Sequence, residues 1–244
     1  MNYTQFQALN HNESIKIDRK DSILTPTLIE KIEGIIKKPI PQELIDFYSF
    51  CDGLDWENTV EYTNVPEGMG IPSKRESLAS LEKMFDDFRN QPDLEFENWD
   101  DDEDAWGERS EYFHQSIYLE DLSPYDNEKL DISTVEGKRY FWILSNMKLV
   151  CDFNGHEGTI VIDFTDAQKQ YQLYYQVYGD LYPLELSLEK FYAIFLQIGL
   201  TDFWFTAYMS EEDQENTCMT YSKETHRIIQ HFYPDFDLEE LPPL

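Results

Sequence analysis

Asp100, Asp102 and Asp104 alternate along one short run, and Glu111 follows at the twelfth position counted from Asp100. Oxygen ligands at the first, third, fifth and twelfth places are what a calcium-wrapping EF-hand loop uses. The frame departs from that chemistry at two points. Its sixth place needs a glycine for a sharp turn and holds Ala105, and its eighth is normally apolar and holds Gly107. Upstream, Pro92 and weak periodicity leave no incoming helix. The run therefore reads as a solvated acidic loop, and we expect no metal site.

Other reactive residues are sparse. His226 and His231 lie five apart and do not form the i, i+4 pair of a zinc-binding helix. His156 falls in a turn beside Glu157, and His11 and His114 stand alone in polar sequence. Cys51, Cys151 and Cys218 are too far apart for a metal spacing, and their odd number suits free, buried thiols in a reducing compartment. No G-x-S-x-G, H-E-x-x-H, phosphate-binding glycine loop or dinucleotide fingerprint is present. With 49 acidic residues, paired carboxylates arise by chance and identify no base or nucleophile. We expect no enzyme and no cofactor.

Charge is the more informative property. A formal net charge of −30 over 244 residues disfavours nucleic acid and anionic membrane and favours basic partners. Hydrophobic residues at 41% and aromatics at 15% nevertheless specify a folded chain. From Asp86 to Glu111 twelve acidic residues face only Arg89 and Arg109, with Trp99 and Trp106 flanking Asp100–Asp104. Trp56, between Asp55 and Glu57, repeats the pattern of an aromatic ring among carboxylates. Rings surrounded by charge are the usual make-up of a protein-binding hot spot. The candidate contact residues are Trp56, Glu57, Trp99, Asp100, Asp101, Asp102, Glu103, Asp104 and Trp106. Each tryptophan has an alternative reading as an anchor pinning a loop to the body.

The elements that must carry these residues follow from periodicity. Thr25-Pro26 caps a helix bearing Leu28, Ile29, Ile32, Ile35 and Ile36. A second helix after Ile40-Pro41 bears Leu44, Ile45, Phe47, Tyr48 and Cys51 and stops at Gly53. Leu78, Leu81, Phe85 and Phe88 suggest a third helix. Lys148–Asn154, Thr159–Phe164 and Tyr171–Tyr178 read as strands of a meander. Ser187 then caps a long helix on Leu188, Phe191, Tyr192, Phe195 and Leu196, which Gly199 stops. Phe203–Tyr208 continues its packing, Glu211–Glu215 is a polar link, and Ser222 caps a final helix over Lys223–Phe232.

Four segments carry a resemblance in order along the chain. They are Ile40-Pro41 through Leu44, Phe47 and Tyr48 to Asp52-Gly53; Glu76–Phe88; Gly158–Phe164; and Leu186–Phe191. Together they resemble the SUKH superfamily across roughly Thr25 to Leu200, although Asp52 stands where the family pattern has Asn. The resemblance implies a bacterial-type immunity protein that binds and neutralises a cognate toxin. Its fungal member suggests, as the alternative, a regulatory scaffold with several protein partners.

The expected architecture is α+β: an antiparallel or mixed sheet of about five or six strands with helices on one face. Residues 1–24 form a lead-in, 25–200 the main domain with an acidic insertion near 89–139, and 201–244 a C-terminal helical extension. The expected partner is a basic, nuclease-like protein toxin occluded at its active site. No direct nucleic-acid contact and no membrane are expected; the sequence leaves the oligomeric state open and favours a monomer. Met1–Asn10 lacks a basic segment followed by an apolar one, and no window approaches the ~18 apolar residues of a membrane span, so we expect a cytoplasmic protein.

Overall fold

A computed structural model describes residues 15–58, 75–85, 147–153, 158–177, 180–217 and 219–244. Its centre is a seven-stranded antiparallel sheet whose spatial order follows the sequence, β1 to β7. The strands are β1 (Ile15–Arg19), β2 (Leu54–Asn58), β3 (Arg75–Leu78), β4 (Lys148–Asp152), β5 (Gly158–Asp163), β6 (Gln172–Val177) and β7 (Asp180–Leu184). The described helices are α1 (Pro26–Ile36), α2 (Gln42–Phe50), α3 (Leu81–Phe85), α4 (Leu188–Ile198), α5 (Glu211–Thr217) and α6 (Lys223–Phe232). A 3-10 segment (Thr201–Tyr208) links α4 to α5. The fold is the expected α+β class with one more strand than the upper expectation.

Period-two alternation decides the two faces of the sheet. Cross-strand partners put Leu54 opposite Leu78, Leu78 opposite Cys151, and Ile160 opposite Tyr175. These side chains are all buried, so they line the core face. Helices α2 and α4 close over that face, with the Phe47 and Tyr192 rings stacked at 4.1 Å. On the opposite face β1 to β3 display Lys16, Asp18, Asp55, Glu57 and Arg75, all exposed or half-exposed.

The helix ends follow local chemistry. Thr25 Oγ1 accepts from the Leu28 N–H at 3.2 Å, with Pro26 in the first turn where its missing N–H is no loss. Ser187 caps α4, and Gly199, at φ 58°, ends it. Ser222 and Thr225 form a reciprocal capping box at α6. Gly53 adopts φ 80°, and a Cβ there would lie 2.7 Å from the Leu78 carbonyl oxygen. Only glycine meets both conditions without strain.

Several expectations need correction. The stretch from Glu76 does not begin as a helix, because Arg75–Leu78 is an edge-to-edge partner of both β2 and β4 and only Leu81–Phe85 is helical. Leu78 thus serves sheet packing and not a helical stripe. Part of the lead-in is structural: Ile15–Arg19 pairs with β2 along its whole length. Asp180–Leu184 adds an outer strand that accommodates exposed Pro183 because an edge tolerates a missing donor. Glu211–Thr217 is helical, since Glu211, Glu212 and Asp213 in its first turn favour the positive end of the helix dipole. The Phe203–Tyr208 stretch does continue the packing of α4, with Trp204 buried 6.0 Å from the Phe191 ring, in a separate 3-10 segment in which Asp202 and Phe203 take φ values of 51°. The insertion expected near 89–139 lies outside the described residues.

No helix among the described residues is long and apolar enough to cross a membrane.

A candidate protein-binding surface

The candidate contact residues divide into three groups. Trp56 lies on the core face of β2 and is 1% exposed. Its ring packs 6.4 Å from the Tyr233 ring, and a Cβ on Gly199 would lie 3.0 Å from its edge. Its neighbours Asp55 and Glu57 point to the opposite side of the strand, so the flanking carboxylates never surround the indole. Trp56 is therefore a core residue and not a surface anchor. Trp99, Asp100, Asp101, Asp102, Glu103, Asp104 and Trp106 lie outside the described residues.

Glu57 does face solvent, but its charge is already answered. In the row across the sheet, Lys16 pairs with Glu57 and Glu57 with Arg75. The Arg75 guanidinium donates to Glu57 Oε1 at 3.1 Å, and Lys16 Nζ stands 3.8 Å from Oε2. Exposed pairs of this kind contribute little to stability, yet they leave Glu57 with no net field to offer a cation.

The next row is different. Asp18 sits directly opposite Asp55, and Asp55 opposite Ser77. Both carboxylates are exposed, and among the described residues neither has an ion-pair partner. Like charges directly opposite on neighbouring strands repel.

A larger concentration of negative charge lies at the C-terminus. Residues 211–244 hold nine carboxylates, Glu211, Glu212, Asp213, Glu215, Glu224, Asp235, Asp237, Glu239 and Glu240, against Lys223 and Arg227. All nine are exposed except Asp213, which is half-buried. Arg227 is spent on Glu224 at 2.8 Å. Ile228, Ile229 and Phe232 fix α6 to the core, and Phe236 and Leu241 fix the tail, so the five carboxylates these carry are held in place. The α5 helix, which carries the other four, has no buried residue. In sequence this part reads as packing and a link, because its charges fall in short groups separated by aromatic and apolar residues.

Beneath the tail lies a small polar cluster. Tyr221 Oη meets His226 Nε2 and lies 2.9 Å from the Pro242 carbonyl oxygen. Pro242 can only accept, so the hydroxyl proton goes there and the ring proton of His226 sits on Nε2. Burial pushes the Tyr221 phenol up to about 12 and holds the His226 imidazole below its ordinary 6.5. The Tyr208 phenol is also raised to about 12, first by burial and then by Tyr221 and Glu240. Neither phenol ionises near neutrality, and the Tyr221 hydroxyl ties down the tail through Pro242. Among the described residues no group of three metal-ligating side chains is assembled.

Comparison with protein-family models, curated proteins and solved structures finds no match for this chain.

Proposed function

We propose that this chain is an immunity-type protein that binds a basic, nuclease-like protein toxin and neutralises it by covering its active site. The observation that carries the reading is the charge of −30, to which residues 211–244 contribute nine carboxylates, all but Asp213 exposed, against Lys223 and Arg227. An acidic body of this kind draws a basic protein in at rates well above those of neutral partners and can occlude a cleft built for polyanions. The resemblance to the SUKH superfamily points the same way. Asp100–Asp104 with Trp99 and Trp106 remain proposed contacts, whereas Glu57, paired with Lys16 and Arg75, is set aside.

The test is capture of basic proteins from the native cell at low ionic strength, followed by assay of any captured nuclease with and without the purified chain. A single partner that is inhibited stoichiometrically, and released by salt, supports the reading. Several weak partners with no inhibition would favour a regulatory scaffold, and turnover of a small metabolite by the chain would remove both.

A further inference from the structure

We draw no further inference here: the strongest candidate, the polar cluster of Tyr208, Tyr221 and His226 beneath the tail, has a buried Tyr208 hydroxyl with no hydrogen-bond partner among the described residues, and nothing in the structure shows what ligand would take it up.

Discussion

Asp52 Oδ1 accepts a hydrogen bond from the backbone N–H of Leu81 at 2.8 Å, across 29 residues of chain. The acceptor is buried, and the donor opens the short helix α3, whose first N–H groups have no partner within the helix. One carboxylate thus fixes the turn after α2 to the start of α3. Gly53 completes the arrangement by bringing its backbone against Leu78 and Ser80.

Removing that acceptor should be costly while changing only its charge should not. Asp52→Ala is expected to lose about 1–2 kcal/mol, and Asp52→Asn, which keeps an acceptor oxygen, much less. Gly53→Ala should lose more than about 1 kcal/mol through the positive φ angle and contact with the Leu78 carbonyl. Urea unfolding midpoints of the three variants check the order.

Trp56→Ala should destabilise the fold by about 3–5 kcal/mol, as for other fully buried aromatics. A surface anchor would leave the midpoint nearly unchanged. Equilibrium unfolding followed by circular dichroism separates the two outcomes without any partner present.

Asp202 is half-buried, and burial raises its carboxyl above the ordinary 3.8, with Glu224 adding to the rise and Thr225 opposing it. A folded-state carboxyl pKa that is raised means the charged form is disfavoured in the fold. The favourable contribution is complete below pH 3.8 and is lost as pH rises through the raised value. Asp202→Asn should therefore be more stable than the parent at pH 7, by about 0.5 kcal/mol given the solvent screening at a half-exposed site. Asparagine also tolerates the left-handed backbone that Asp202 occupies. The gain should shrink toward pH 3, which unfolding midpoints measured across that range would register.

Tyr221→Phe removes the donor to the Pro242 carbonyl and should cost about 1 kcal/mol. The loss should appear as faster amide exchange around Leu238–Glu240 and in the tail, with the sheet unaffected. Uniformly faster exchange across β5 and β6 would show that the tail is no separate unit.

Replacing Glu211, Glu212 and Glu215 by lysine should weaken binding of a basic partner and flatten its salt dependence. These side chains are exposed, so thermal stability should fall only by the small loss of favourable helix-dipole charge. Unchanged affinity and salt dependence would move the contact surface elsewhere.

Much of the fold is legible in sequence wherever one periodicity dominates. The α1 and α4 helices declare themselves through apolar stripes, Thr25 and Ser187 caps, and the Gly199 stop. The strands β5 and β6 show β-branched and aromatic runs. The strands β1, β2 and β7 are harder, because five residues give too few periods of alternation to stand out from polar surroundings. Trp56 shows the limit at the level of function. A residue between two carboxylates reads as exposed in one dimension, yet strand geometry sends it to the opposite side from both. The acidic C-terminal surface escapes for the converse reason, since its charges gather only when α5, α6 and the tail are folded together.

The strands β3 and β4 are direct neighbours in the sheet although the chain between Leu78 and Lys148 is the longest separation of any adjacent pair. The entropic penalty for joining two such ends grows only with the logarithm of the connection. Doubling the length of that connection is therefore expected to cost the sheet only about 0.6 kcal/mol.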